Sequence, residues 1–160
     1  MSEKPDIKSL CKTTIGVELN ERECQILANL MGERKLHNND LLIKEGESDN
    51  TLFILADGKL AVTGNVLGNE VVVYTMKVGE CAGTRAFVDR TPRKATLRAV
   101  GDAVVYTLKP EDFESLLESH PVIVYKVMRA LFRITHTNLM RMNQESQELA
   151  NYITKTRGRY

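Results

Sequence analysis

Between Leu36 and Leu108 the apolar residues stop recurring at helical spacing. They fall instead at roughly every second position, in short runs cut by turn residues. The runs are Leu41–Ile43, Thr51–Leu55, Leu60–Val62, Val71–Tyr74, Ala95–Leu97 and Val104–Tyr106, most of them rich in β-branched or aromatic side chains. Gly46, Gly58, Gly68 and Gly79 lie 12, 10 and 11 positions apart. Short strands with turns at such intervals predict an antiparallel sandwich or barrel. The interval reflects strand plus turn length, and no sequence repeat underlies it. Residues Asn65 to Asn69 read as the tip of a long hairpin.

Helical signals flank this region. Residues 1 to 19 form a mixed polar lead-in with a short helical piece. Asn20 reads as an N-cap with Glu23 as its capping-box partner, and Cys24, Leu27, Leu30 and Met31 follow at helical spacing. Gly32 marks the expected end of that helix. Pro110 opens a short helix with Glu111 and Asp112 in its first turn, where the macrodipole favours acids. Pro121 opens another, and no helix breaker appears from Val122 to Arg157. The expected organisation is one domain over 1–160. It has a helical part at 1–35, a β region at 36–109, a short helix at 110–119 and a long helix at 121–155.

The long helix carries two apolar stripes. Val124, Val127, Leu131 and Ile134 form one, confined to the first half and suited to packing on the β region. Tyr125, Met128, Phe132, Thr135, Leu139, Met142, Ser146, Leu149 and Ile153 form the other, in alternating steps of three and four. A 3-4 repeat of this length predicts a two-stranded coiled-coil seam and a homodimer, weakened at Thr135 and Ser146.

Composition removes several function classes. Of 160 residues, 42% are hydrophobic and 27% charged, as in ordinary globular chains. A formal net charge of +1 gives no field that selects nucleic acid or a membrane surface. No apolar run approaches the roughly 20 residues a spanning helix needs. Met1 to Lys8 lack the apolar core of a secretory signal. Cys11, Cys24 and Cys81 are odd in number with no C-x-x-C spacing, which predicts free thiols in a reducing cytoplasm. His37, His120 and His136 share no metal-ligand spacing, so no metal is expected. No nucleophile–base constellation points to catalysis, and no cofactor is implied. The basic residues Lys155, Arg157 and Arg159 read as a solvated end.

The chemistry concentrates in residues 83 to 96, Gly-Thr-Arg-Ala-Phe-Val-Asp-Arg-Thr-Pro-Arg-Lys-Ala-Thr. Gly83 allows close backbone approach, and Thr84 to Phe87 suit a helical turn whose free N–H groups point at an anion. Arg93, introduced by Pro92, supplies a planar guanidinium that stays charged. On the residues alone, a surface arginine on a hairpin is an equally open reading.

The order of these parts resembles the cyclic nucleotide-binding domain, the family of catabolite activator proteins and of cAMP-dependent protein kinase regulatory subunits. The resemblance covers about residues 17 to 150 and includes Lys44-Glu45-Gly46 and Phe53-Ile54-Leu55-Ala56-Asp57-Gly58-Lys59-Leu60. It implies a mainly β fold, an eight-stranded antiparallel β-roll, jelly-roll-like, flanked by N-terminal helices and a long C-terminal helix. The family's cassette reads F-G-E-L-A-L-x-x-x-x-P-R-x-A-T. Aligned on it, Arg93 inherits the cyclic-phosphate role, and Gly83 and Ala86 the backbone contacts. Thr84 stands where the family's glutamate accepts the ribose 2′-hydroxyl proton, and Lys94 where a small residue is common. Thr135, Thr137 and Asn138 on the long helix are the candidate base contacts that the resemblance implies.

A second register would make Glu80 the ribose ligand, within Val78-Gly79-Glu80-Cys81-Ala82. It requires three extra residues before Arg93. The expected function is a cyclic nucleotide-binding regulatory module, with cAMP or cGMP as ligand and an unknown protein as downstream partner. Thr84 keeps open a scaffold that binds no ligand. Arg85 and Lys94 keep open a sensor of another phosphate-bearing ligand. The helix-turn-helix of the family's transcription factors has no counterpart in these residues, so no direct DNA binding is expected.

Overall fold

The computed structural model describes residues 3–157; Met1 and Arg159, named above, lie outside them. The elements run in the order α1 (Ile7–Cys11), α2 (Glu21–Leu30), β1 (Gly32–Leu36), β2 (Leu41–Ile43), β3 (Leu52–Val66), β4 (Asn69–Met76), β5 (Cys81–Ala82), α3 (Thr84–Asp89), β6 (Thr96–Leu108), α4 (Pro110–Glu114), α5 (Leu116–Ser119) and α6 (Pro121–Arg157). All strand pairs are antiparallel. The sheet order is β1-β6-β3-β4, with β2 on β6 and β5 on β3.

The fold is the expected antiparallel roll with flanking helices, in six strands rather than eight. The predicted turn at Gly58 lies inside a long strand instead. Gly58, at φ +83°, sits within β3 where its register against β6 shifts. A Cβ there would come within 2.3 Å of the Asp102 carbonyl oxygen, so only glycine lets the two backbones meet. Hydrogen bonding continues on both sides of the bend, and each of β3 and β6 forms one bent strand. The β3–β4 hairpin closes at Leu67 and Gly68, both at positive φ, as a tight hairpin turn requires.

The run Leu52–Leu55 is apolar without alternation because both faces of β3 are covered. Leu52 and Ile54 pack with the helices, together with Tyr106 and Leu108 of β6. Phe53 and Leu55 face the roll interior with Leu60, Met76, Leu97 and Val105. The helix side is completed by Leu27, Phe113, Ile123, Val127 and Leu131, which bind α2, α4 and α6 to the sheet.

The capping box of α2 is formed as expected: Asn20 accepts from the Glu23 N–H at 2.8 Å, and Glu23 accepts from the Asn20 N–H at 3.0 Å. Gly32 does not cap this helix. Met31 does, and Gly32 begins β1, so the helical part ends before the expected residue 35. The strand Gly-Glu-Arg-Lys-Leu carries too few apolar residues to show a strand period. The short helix at 110–119 is two pieces, α4 and α5, joined at Ser115. Helix α6 has 37 residues, a span of about 55 Å. Its buried stripe includes Ile123 and Ala130 beside Val127 and Leu131, while Val124 and Ile134 are half-buried. The second stripe is exposed throughout, with Phe132 at 71% and Leu149 at 61%.

The expectation of three free thiols is overturned. Cys11 and Cys24 form a disulfide that joins α1 to α2, and Cys81 alone is free. The pair is separated by 13 residues. It meets only because the chain between the two helices folds back, which no local spacing reveals. No helix among the described residues is long and apolar enough to cross a membrane.

Replacing Asn20 by Ala removes the acceptor of the α2 cap and should cost about 1 kcal/mol. The expected signature is a melting midpoint lowered by roughly 2–4 °C, with Asn20→Asp near wild type. An unchanged midpoint in Asn20→Ala would show that tertiary packing alone sets the start of α2.

A candidate anion site between the roll and the long helix

Arg93 is 5% exposed, an unusual burial for an arginine. Its main chain is paired with the turn before β3: the Arg93 N–H donates to the Glu47 carbonyl and the Gly46 N–H to the Arg93 carbonyl, both at 2.9 Å. Thus the turn at Gly46 and Glu47 fixes the main chain of this arginine. Nη2 donates to the Thr51 carbonyl at 2.5 Å and to Asp49 Oδ1 at 3.2 Å. The guanidinium carbon stands 5.1 Å from the centre of the Phe53 ring. Nε and Nη1 are buried without a hydrogen-bond partner.

Burial pulls the Arg93 pKa down and Asp49 opposes that pull. An arginine still keeps its charge near neutral pH. Desolvation pushes the Asp49 carboxyl up, but the Thr51 N–H, the Thr51 hydroxyl and Arg93 together hold it below its ordinary value. The Thr51 N–H bond to Asp49 is 2.8 Å. Asp49 and Thr51 were not legible as site residues. Their spacing signals only an Asx turn before a strand.

Gly83 precedes α3 at φ +86°. A Cβ on it would lie 2.1 Å from Arg93 Nη1 and 3.2 Å from the Thr51 carbonyl oxygen. The glycine therefore leaves the space that the guanidinium fills. The helix begins at Thr84, whereas Glu80 lies in the turn before β5. At the other end of α3, Arg90 pairs with Glu111 at 3.0 Å and Glu114 at 2.5 Å, which ties the cassette to α4.

A cavity of about 1030 Å³ opens between the roll, α3 and α6. Every residue singled out from the sequence lines it: Gly83, Thr84, Arg85, Ala86, Arg93 and Lys94 on one side, Thr135, Thr137 and Asn138 on the other. Thr84 is half-buried, and Arg85 and Lys94 are exposed at the rim. The Thr135 hydroxyl donates to the Leu131 carbonyl of its own helix at 2.9 Å.

Three further lining residues come together here, of which the sequence pointed only to Glu80, through the second register. Glu80, in the turn before β5, accepts from the Tyr74 hydroxyl with both carboxylate oxygens, at 2.7 and 2.9 Å. That bond is the main cause of a raised Tyr74 pKa. Arg141 of α6 covers the Tyr74 ring at 4.4 Å. The cavity thus has a cationic floor at Arg93 and a wall that carries an acid, a phenol and a second arginine. An anionic head with a polar or aromatic body matches that distribution. Among the described residues no group of three or more His, Cys, Asp or Glu could hold a metal ion.

A family model described as cyclic nucleotide-binding domain matches residues 33–120. The chain is 29% identical over 110 residues to a cGMP-dependent protein kinase of Plasmodium berghei, covering 69% of this chain and 12% of the kinase. In structure it is similar to a cyclic nucleotide-binding domain from Methylobacillus flagellatus. The TM-score is 0.81 and the identity 16%, over 87% of this chain and 81% of that one. It is also similar to the regulatory domain of Toxoplasma gondii cAMP-dependent kinase crystallised with cAMP. There the TM-score is 0.61 and the identity 26%, over 68% of this chain and 42% of the other. The first curated relatives are much longer than the matched segment, which spans 12% to 21% of their length.

Gly83→Ala should destabilise the fold by about 2–4 kcal/mol, through a strained positive φ and a clash with the arginine. Chemical denaturation gives the cost. A midpoint within error of wild type would mean that Arg93 swings out at little cost, contrary to the clamp described above.

Proposed function

The chain belongs to the cyclic nucleotide-binding domain family, and we propose that it is a non-catalytic sensor of a cyclic nucleotide of the cAMP or cGMP type. The single observation that carries this reading is the buried Arg93 guanidinium, fixed at Nη2 and with two nitrogens unpartnered, on the floor of a cavity. A buried cation with unmade hydrogen bonds is costly, and a compact monoanion beside it relieves that cost. A cyclic phosphodiester is such an anion.

On this reading the phosphate sits against Arg93 and the backbone of Gly83 to Ala86. The ribose lies by Thr84. The base extends toward α6, where Thr137 and Asn138 offer side-chain hydrogen bonds and Thr135 shares its hydroxyl with Leu131. Signal leaves through α6, whose first half packs on the sheet and whose second stripe is exposed. Tyr125, Phe132, Leu139, Met142, Leu149 and Ile153 form the seam of a homodimer in the 3-4 repeat of a coiled coil. Occupancy of the cavity shifts α6, and the paired helices carry that shift to a protein partner. We place the module in the cytoplasm.

Thr84 favours a second reading, a dimeric scaffold that no longer binds nucleotide. A hydrogen bond to a charged acceptor contributes about 1.5–3 kcal/mol, against 0.5–1.5 for a neutral one. The exchange of an acid for a threonine costs about 1–2 kcal/mol on that basis, roughly five- to thirty-fold in affinity. Such a loss weakens a site without erasing it, so sensing remains the preferred reading. Arg85 and Lys94 at the rim would suit a ligand with a second phosphate better than either reading requires.

Calorimetry with cAMP and cGMP tests the proposal. Arg93→Ala should lower affinity by roughly 10- to 150-fold, the loss of one charged hydrogen-bonding group. Thr84→Glu should raise it by roughly five- to thirty-fold. No heat and no thermal shift at millimolar ligand, with Arg93→Ala like wild type, would eliminate nucleotide sensing. Tight binding created only by Thr84→Glu would favour the scaffold.

A further inference from the structure

The disulfide between Cys11 and Cys24 closes a loop of chain, and that loop does more than join two helices. Thr14, Val17 and Glu18 within it line the cavity. Thr14 is bonded twice to the turn that precedes the cassette: its N–H donates to the Gly79 carbonyl at 3.0 Å and its hydroxyl to the same oxygen at 2.8 Å. Glu18 pairs with Arg129 at 2.9 Å and also with Arg133, both on α6. Glu23, at the start of α2, pairs with Lys126 of α6 at 2.7 Å. The stapled segment therefore holds both walls of the cavity: the cassette side through Gly79 and the long helix through three cations.

We infer that Cys11–Cys24 is a redox-modifiable site whose thiol or disulfide state sets how firmly residues 12–23 hold α6 against the cavity. The co-reactants are a dithiol in one direction and a low-molecular-weight disulfide in the other. Cys24 is fully buried and Cys11 half-buried, so an external thiolate attacks the Cys11 sulfur. A mixed disulfide forms at Cys11 and Cys24 leaves as a thiolate, which takes up a proton. The second thiol of the reductant then displaces Cys11 and becomes part of the reductant's own disulfide. Two electrons pass to the protein, and two protein thiols result.

The third cysteine does not compete. Burial pushes the Cys81 thiol up to about 12, so it holds almost no thiolate at neutral pH. In a reducing compartment a disulfide of this kind is transient and acts as a sensor rather than a staple. Reduction frees the loop, and the ion pairs at Glu18 and Glu23 then have to order a longer flexible segment. The oxidised form holds α6, and the reduced form releases it. This coupling does not depend on which ligand the cavity takes.

The test uses the full chain in three states: treated with oxidised glutathione, treated with dithiothreitol, and carrying Cys11→Ser with Cys24→Ser. Alkylation and intact mass count the thiols, and hydrogen exchange follows residues 12–23 and 126–138. The oxidised protein should show one alkylated thiol, slow exchange in both segments and a melting midpoint higher by roughly 5–10 °C. The reduced protein and the double variant should exchange faster there, and cAMP, if bound, should bind about fivefold or more weakly. Cys81→Ser should count one alkylated thiol fewer than wild type in each state and otherwise exchange and melt like it. Three alkylated thiols after oxidation would overturn the inference. So would a disulfide whose reduction leaves exchange in residues 126–138 unchanged. A redox-dependent exchange without cAMP or cGMP binding in any state would support it while sinking the nucleotide reading alone.

Discussion

The arrangement of this protein turns on one buried cation. Removing a guanidinium from water costs several kcal/mol unless its donors are met. The chain meets only part of that demand for Arg93. The Thr51 carbonyl and Asp49 take Nη2, and the Phe53 ring lies beside the guanidinium. Gly83 has no side chain because the guanidinium occupies that space. The main chain of Arg93 is paired to Gly46 and Glu47 because the side chain has to enter from a fixed point. Two separate stretches of sequence, residues 46–53 and Gly83, are thus constrained by one arginine, and its Nε and Nη1 remain unmet.

The second constraint is the placement of α6. A helix of 37 residues packs on the sheet only over its first part, through Ile123, Val127, Ala130 and Leu131. Its polar tethers to the N-terminal segment lie in the same stretch, at Lys126, Arg129 and Arg133. Beyond Ile134, Arg141 stacks on Tyr74 of the roll. The helix therefore has an anchored half and a half whose position depends on the cavity wall it borders. Asn138 and Arg141 lie at the boundary between the two.

Much of this was legible because it is local. The α2 cap, the hairpin tip at Leu67 and Gly68, the prolines that open α4 and α6, and the cassette around Gly83 and Arg93 each rest on a few adjacent residues. The features that escaped depend on contacts between distant segments. Asp49 and Thr51 act on a residue more than 40 positions away. Cys11 meets Cys24 through the fold of the intervening loop. The count of eight strands failed at Gly58, where a glycine that reads as a turn is a bend in a continuous strand. Strand β1 escaped because an edge strand of Gly-Glu-Arg-Lys-Leu buries little and so has no apolar period.

The threonine at position 84 takes its meaning from its surroundings. In a site with a single arginine, a missing acid leaves the ribose hydroxyl with a weaker acceptor and leaves the phosphate contact intact. Here the cavity also carries Glu80, whose carboxylate is engaged by Tyr74, and Arg141, which covers that ring. The acids that line the cavity are Glu18, Glu80 and Glu145, and none of them stands at the start of α3. An acid beside the phosphate weakens anion binding through repulsion, and one farther off does so less, since the interaction falls with distance. Under the proposed nucleotide reading, threonine at position 84 would weaken the contact to the sugar and leave the Arg93 contact to the phosphate unchanged.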